Sequence, residues 1–182
     1  MIVIATNELE RRYVAAALRA FARRGYFGTT MNHIAEEAGV SQPRISQVFD
    51  GKLSAYLAAN EVALDAVIAA FEQCPPAETF DPAAVGQGFV TLLRSDPDKI
   101  RLVLHSVSAG TGDPAIGAAA RQSLGILSEM LVNRYHATPD QARDFLARGL
   151  FSIILIAAGL PTEEATPALR AVARVTPGVD PA

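Results

Sequence analysis

The side chains in this sequence best suited to chemistry are Gln42, Arg44, Ser46 and Gln47, at the outward positions of a predicted helix. Arginine can donate two hydrogen bonds to guanine O6 and N7, and glutamine can pair at two points with adenine N6 and N7. Pro43 offers an apolar contact suited to a thymine methyl group and stiffens the first helical turn. The alternative is an ordinary solvated face on a small helical bundle, so the surrounding residues decide the interpretation.

Residues 30–49, TMNHIAEEAGVSQPRISQVF, contain the elements that would position these side chains. A helix-turn-helix needs a small residue where its helices cross, a glycine at the turn and a branched apolar residue on the second helix. Ala35, Gly39 and Ile45 meet these needs at the appropriate offsets. The spacing predicts that the second helix enters the major groove of double-stranded DNA.

Three further positions flank the base-reading residues. Thr30 and Ser41 are suitable N-caps for the two helices of the motif. The N–H groups at the start of the Thr30 helix, and Lys52, could bind DNA phosphates. An ordinary cap and an ordinary surface lysine are the alternatives. The DNA-binding residues predicted from the sequence are therefore Thr30, Ser41, Gln42, Pro43, Arg44, Ser46, Gln47 and Lys52.

The whole chain is divided into helix-length segments. A good N-cap residue precedes proline at Asp81, Asp96, Asp113 and Thr138, and proline is favourable at a first helical position because its missing N–H would have no partner there. Neither a hairpin signal nor an alternating strand pattern occurs. We therefore predict an all-α fold of about nine helices, at residues 7–24, 31–38, 42–48, 53–73, 82–95, 97–109, 114–136, 139–159 and 163–174.

Composition and charge narrow the class of protein. The chain has 182 residues, of which 50% are hydrophobic, so it can bury a core and is not a disordered chain. The net charge is −3, but residues 1–60 carry +2 and the remainder −5.

The single cysteine, Cys74, favours a reducing compartment. The N-terminal MIVIA is too short for a signal peptide, and the apolar run 150–160 falls short of a membrane span. We expect a cytoplasmic protein with no membrane contact.

Two C-terminal helices have the pattern of an interface between two copies of the chain. Residues 145–160 carry apolar side chains on nearly every face, whereas a surface helix of a monomer keeps a polar face. The helix of 114–136 has a narrower apolar stripe, with small residues that permit close approach. Two helices from each copy would form a four-helix interface, and burial within one subunit is the alternative. The predicted interface residues are Leu124, Leu127, Leu131, Leu146, Leu150, Ile153 and Ala157.

The remaining chemical signals are weak. The three histidines lack a second ligand at i+3 or i+4, so no metal site is predicted. GTGDPA at 110–115 imitates a dinucleotide-binding loop, but Asp113 would place a negative charge beside the pyrophosphate. We therefore predict no catalytic residues, no enzyme activity and no cofactor. Four side chains could line a small-molecule pocket, with ordinary core as the alternative: Phe71, Phe89, His105 and Met130.

The segment AALRAFARRGYFGTTMNHIAEEAGVSQPRISQVFDGK, followed by Tyr56, resembles the DNA-binding domain of TetR-family transcriptional regulators. At the motif level the resemblance covers about residues 8–67. Beyond it only length, helical character and helix order agree. The family usually has tyrosine where this chain has Ser46, and histidine or tyrosine where it has Val48. That tyrosine commonly contacts a DNA phosphate.

The resemblance implies a homodimer that binds a palindromic operator, usually as a repressor, and that releases DNA when a small molecule binds its C-terminal domain. It implies a helix-turn-helix domain at 7–52 with its motif at 30–49, an effector-binding and dimerisation domain at 53–176, and a tail at 177–182. The alternative is a helical small-molecule or protein-interaction module that keeps the helix-turn-helix as scaffold only. Ser46 and the small positive charge of the first 60 residues leave this alternative open.

Overall fold

The computed structural model describes residues 8–179, and the predicted all-α fold is confirmed within them. MIVIA, the predicted first helical position at residue 7, and residues 180–182 of the predicted tail lie outside the described residues. Nine α-helices and no strand occur in the described range. The helices are α1 (Glu8–Gly28), α2 (Met31–Ala38), α3 (Gln42–Ser46), α4 (Gly51–Glu72), α5 (Pro82–Ser95), α6 (Pro97–Ala109), α7 (Pro114–Glu129), α8 (Pro139–Ala157) and α9 (Pro167–Arg174).

Several helices begin at the predicted caps. The carboxylate of Asp81 accepts a hydrogen bond from the N–H of Ala83 at 2.9 Å. Thr138, one of the predicted caps, forms a capping box with Gln141, and the Thr138 N–H donates to Gln141 Oε1 at 2.9 Å. Each bond satisfies a donor that the first helical turn would otherwise leave without a partner. The local sequence is therefore sufficient to start these helices.

Some helix ends differ from the prediction. The first helix breaks directly after the predicted range 7–24, because Gly25 has a non-helical backbone (φ +65°, ψ 175°), and a short helical continuation then extends α1 to Gly28. The helix predicted at 42–48 ends at Ser46. The short helix predicted from 163 begins at Pro167, because the Thr166 side chain caps it by accepting from the N–H of Leu169.

The helix predicted at 114–136 changes geometry before its end. A π-helical segment, Met130–Arg134, follows α7, and a π turn inserts an extra residue that rotates the side chains after it. The hydroxyl of Tyr135 then donates to the carbonyl of Phe71 at 2.7 Å and lies 3.1 Å from the carbonyl of Cys74. The end of this helix is thereby bonded to the C-terminal end of α4.

The described chain forms two compact units. The head unit takes its residues from the first 66 positions and from Asp98–Arg121, and the body unit comprises Val67–Pro97 and the residues from Gln122 onward. Helices α4 and α7 continue from one unit into the other. The helix-turn-helix therefore shares its unit with α6. The domain limits at 7–52 and 53–176 stay a prediction.

Helix α4 is long and apolar enough to cross a membrane by length and composition alone, with a mean hydropathy of 1.4 in its most apolar window. The core helix of a soluble protein passes the same test. Ala55, Tyr56, Ala59 and Ala63 of this helix are fully buried within the protein. Burial covers 39% of the most apolar stretch of α4, so packing against other helices accounts for part of its apolar character.

Candidate DNA-binding surface

Helix α2 and the turn after it have the geometry of a helix-turn-helix. The hydroxyl of Thr30 accepts from the N–H of His33, and His33 Nδ1 accepts from the N–H of Thr30, both at 3.3 Å. Gly39 ends the helix in a left-handed conformation, with φ +68° and ψ 34°. The sequence predicted the Thr30 cap and the Gly39 turn. It did not predict His33 as the reciprocal partner, because glutamate or glutamine usually fills that position.

The inward side chains of the motif form a closed core. Ile34, Ala35, Ile45 and Phe49 are each no more than 2% exposed, as expected from their spacing. Val40 packs against this core from the turn. Helix α3 is short, so its orientation depends on burial of Ile45 rather than on its own hydrogen bonds.

Two arginines of α1 pair with one glutamate of α2. Arg23 Nη1 lies 2.6 Å from a Glu37 carboxylate oxygen, and Arg19 Nη2 donates to the Glu37 backbone carbonyl at 3.1 Å. Exposed pairs of this kind each contribute about 0.2–1 kcal/mol, so their main effect is to fix the position of α2 against α1. Arg23 is accordingly engaged within the protein.

The predicted base-reading residues are brought together on one exposed surface. Gln42, Pro43, Arg44, Ser46 and Gln47 are all exposed on α3 or directly after it. The Ser41 side chain forms no capping bond, although its backbone carbonyl accepts from the N–H of Arg44 at 3.0 Å. Its hydroxyl is therefore not used to start the helix. The exposed edge consists of amide, guanidinium and hydroxyl groups, which suit base edges and phosphates.

Arg44 is held by two side chains of the same unit. Its Nε donates to the hydroxyl of Tyr13 at 3.3 Å, and its Nη1 donates to Gln47 Oε1 at 3.1 Å. Tyr13 belongs to α1 and is 2% exposed. The sequence did not indicate this contact, because the two residues are 31 positions apart and their relation depends on how α1 crosses α3.

Lys52 lies near the start of α4 with its ammonium group over an aromatic ring. The Nζ atom is 4.5 Å from the centre of the Tyr26 ring, a favourable distance for attraction between a cation and the ring face. Burial raises the pKa of Tyr26, as do the negative charge of Asp113 and a hydrogen bond to it. The Lys52 side chain is thereby positioned rather than extended freely into solvent.

Helix α6 is bonded to both α1 and α4 within the head unit. The Ser106 hydroxyl lies 2.6 Å from Asn60 Oδ1 and 3.1 Å from the Tyr56 hydroxyl. His105 Nε2 lies 3.2 Å from the carbonyl oxygen of Ala22, and the ring of His105 packs on Gly25. The helix-turn-helix therefore belongs to a unit in which α1, α4 and α6 are joined by hydrogen bonds.

The four candidate effector residues do not all occur in one unit. His105 belongs to the head unit and has the α1 contacts just given. Phe71 and Phe89 belong to the body unit, with ring centres 6.1 Å apart, and Phe71 is also 5.4 Å from Phe145. Met130 is half-buried in the π-helical segment. A cavity of about 650 Å³ in the body unit has other walls: Pro161, Thr162, Glu163, Pro167, Arg170, Ala173, Arg174 and Val179.

The candidate interface residues of the body unit divide into buried and exposed sets. Leu131 and Ile153 are no more than 4% exposed, so they belong to the core of this chain. Leu124 and Leu150 are 53% and 36% exposed, Ala157 is also exposed, and Leu127 and Leu146 are half-buried. Two apolar side chains absent from the predicted set, Phe151 and Ile154, are 40% and 44% exposed. The residues predicted for the interface therefore include some that belong to the core of this chain and some that are exposed on its surface.

Among residues 8–179, no group of three or more histidine, cysteine, aspartate or glutamate side chains is placed to hold a metal ion. Two of the three histidines instead have local roles. His33 closes the α2 cap, and His105 contacts α1.

Comparison with known proteins agrees with this geometry. The family model for bacterial regulatory proteins of the tetR family matches residues 14–58, which include α2, α3 and the start of α4. The chain is 29% identical over 103 residues to the HTH-type transcriptional activator FasR of Mycolicibacterium smegmatis. The match covers 55% of this chain and 47% of FasR, so the chain aligns with about half the length of that relative.

Solved structures share the fold over nearly the whole chain. Salmonella enterica GusR superposes with a TM-score of 0.70 at 17% identity, covering 97% of this chain and 99% of GusR. A TetR-like transcriptional regulator from Rhodococcus sp. RHA1 has a TM-score of 0.61 at 17% identity, covering 89% and 91%. The multidrug binding protein EbrR, in complex with imidazole, has a TM-score of 0.63 at 21% identity, covering 91% and 87%. These identities establish the fold alone, and the family model adds the DNA-binding motif. Over residues 14–58 the chain is similar to bacterial regulatory proteins of the tetR family.

Proposed function

We propose that this protein is a ligand-responsive transcriptional regulator that binds a palindromic operator in the cytoplasm as a homodimer. The observation that carries the proposal is the exposed polar edge of α3, displayed on a buried helix-turn-helix core. Its residues offer hydrogen bonds for major-groove base edges, with Ser41 and Lys52 beside them for phosphates.

Selection from a pool of random DNA duplexes tests DNA recognition. The full-length protein should enrich a sequence with two-fold symmetry, because each copy of a dimer reads one half-site. Arg44→Ala should relax the preference at one position of each half-site and weaken binding by about 1–3 kcal/mol. Arg143→Ala is the matched control, since that exposed arginine lies on α8 and pairs with Asp140 at 2.7 Å. If the wild-type protein enriches no sequence, the scaffold-only alternative is supported instead.

We propose that the homodimer forms through the exposed apolar side chains of α7 and α8. Leu124, Leu150 and Ile154 would otherwise remain in water, and burial of exposed apolar area is the main driving force for association. Leu124→Asp should convert the dimer to monomer in sedimentation velocity at micromolar concentration. Leu169→Asp on α9, at a leucine that is 38% exposed, should leave the dimer intact. A monomeric wild-type protein would exclude this arrangement.

We propose that a small molecule binds the body unit beside the aromatic side chains of Phe71 and Phe89 and releases DNA, as a repressor requires. The relative EbrR is a multidrug binding protein, and phenyl rings suit apolar or aromatic ligands. A ligand that binds the folded protein raises its Tm, so a panel of small aromatic compounds should yield both a Tm increase and weaker operator binding. A reporter gene behind the selected operator then shows whether the bound protein represses or activates transcription. This measurement is needed because the relative FasR is named an activator.

A further inference from the structure

Arg44 and Gln47 are bonded to each other on the exposed edge of α3, and this bond fixes what each can offer to DNA. The distance from Arg44 Nη1 to Gln47 Oε1 is 3.1 Å. A guanidinium has donors only, so the amide atom that faces it must be the oxygen. The NH2 group of Gln47 is therefore left for outside partners, and its oxygen keeps one lone pair for a further donor.

The second restraint comes from α1. The hydroxyl of Tyr13 accepts from Arg44 Nε at 3.3 Å, and Tyr13 is buried among the residues of the head core. With Nε and one N–H of Nη1 engaged, the other N–H of Nη1 and both N–H groups of Nη2 remain. One N–H of Nη1 and one of Nη2 lie side by side at the end of the guanidinium, and this edge can donate to guanine O6 and N7 when Gln47 takes the other N–H of Nη1.

We propose that Tyr13, Arg44 and Gln47 form one pre-oriented donor unit that selects guanine in each half-site, with Tyr13 as its positioning residue. The inference rests on the proposed DNA-binding function. The sequence expectation for Gln47 stays a prediction, because two-point pairing with adenine would use the second lone pair of the amide oxygen as the acceptor for N6. The NH2 group of Gln47 can also donate to an acceptor such as guanine O6 or thymine O4. Holding the arginine in place before binding lowers the entropy cost of ordering it on DNA.

Tyr13→Phe tests the positioning role, because it removes the hydroxyl and keeps the buried ring. Duplexes selected by the wild-type protein should contain guanine at one position of each half-site. In Tyr13→Phe the preference for guanine at that position should fall about fivefold, which is the effect expected for loss of one hydrogen bond. Binding to mixed-sequence duplex should change little, since phosphate contacts dominate it. Tyr135→Phe removes a tyrosine hydroxyl from the body unit and should leave base preference unchanged.

Two further measurements separate positioning from a general structural effect. In an Arg44→Ala background, Tyr13→Phe should cause no additional loss of base preference, because the residue it positions is gone. Placing 7-deazaguanine, which lacks N7, at the selected position should weaken wild-type binding but not Arg44→Ala binding. Wild-type protein that enriches no sequence would overturn both this inference and the proposed function. A selected operator without that guanine, or an effect of Tyr13→Phe that persists without Arg44, would overturn this inference alone.

Discussion

Replacement of Ser106 by alanine should destabilise the head unit because it removes the centre of a buried hydrogen-bond network. The Ser106 hydroxyl has one proton, and Asn60 Oδ1 is its nearest acceptor at 2.6 Å. Tyr56, whose hydroxyl lies 3.1 Å from Ser106, is then the donor of the other bond. Tyr56 is fully buried and Asn60 is 9% exposed, so neither group gains full access to water when Ser106 is shortened.

The magnitude follows from the two groups left without a partner. A buried polar group that loses its hydrogen bond costs about 1–3 kcal/mol, so Ser106→Ala should lower the free energy of unfolding by about 3 kcal/mol. For a chain of this length about 1 kcal/mol corresponds to about 2–4 °C in Tm. We therefore expect the Tm to fall by about 6–12 °C. Burial also raises the pKa of Tyr56, although its hydrogen bond to Ser106 acts in the opposite direction.

Calorimetry on two further variants checks the reasoning. Ser108→Ala, at an exposed serine of the same helix, should leave the Tm unchanged. Adding Tyr56→Phe to Ser106→Ala removes one of the two orphaned groups, so the double variant should be more stable than Ser106→Ala alone by about 1 kcal/mol. A Tm for Ser106→Ala close to that of Ser108→Ala, or a double variant less stable than the single one, would show that the network does not hold α6 to α4.

Three other perturbations have defined outcomes. Burial, followed by the charge of Asp65, raises the pKa of Glu61. The stabilising contribution of Glu61 is therefore lost as the pH rises above 4.5 and through the folded pKa. Glu61→Gln should raise the Tm at pH 7 but not at pH 3.5. Gly39→Ala should cost about 1–2 kcal/mol in urea unfolding because φ is +68°, with Gly39→Asn less harmful; equal stability of all three proteins would contradict this. Gly88→Ala should cost about 3 kcal/mol or more, since its Cβ would overlap the carbonyl of Ala70, whereas Gly125→Ala, where nothing lies within 4 Å, should not destabilise the protein.

The sequence was sufficient for features that depend on neighbouring residues. The buried positions of Ile34, Ala35 and Ile45 follow from helical spacing, and the Thr30 cap and Gly39 turn follow from local backbone needs. Helical spacing, caps and turns are also the features by which a helix-turn-helix is identified in a sequence. Both the all-α fold and the helix-turn-helix could therefore be predicted.

Features that depend on which helices meet could not be predicted in this way. One apolar stripe contains Leu124, which is 53% exposed, and Leu131, which is fully buried, because periodicity gives a face but not its partner. The π-helical segment before Tyr135 has no signal in a pattern of 3.6 residues per turn. The contact of Arg44 with Tyr13 likewise arises only when α1 and α3 are packed.

The packed head also changes what its charge can do. Residues 1–60 carry a net charge of +2, a sum that already includes Glu37, and two of the seven basic residues in this range, Arg19 and Arg23, face that glutamate rather than solvent alone. Each neutralised phosphate contributes about −0.9 to the slope of log affinity against log salt, so a head with few available cations should give a shallow slope. Specific affinity must then come largely from hydrogen bonds of the α3 edge and from the pairing of two half-sites. For this reason Arg44, held in place by Tyr13 and Gln47, should matter more to recognition than the summed charge of the head.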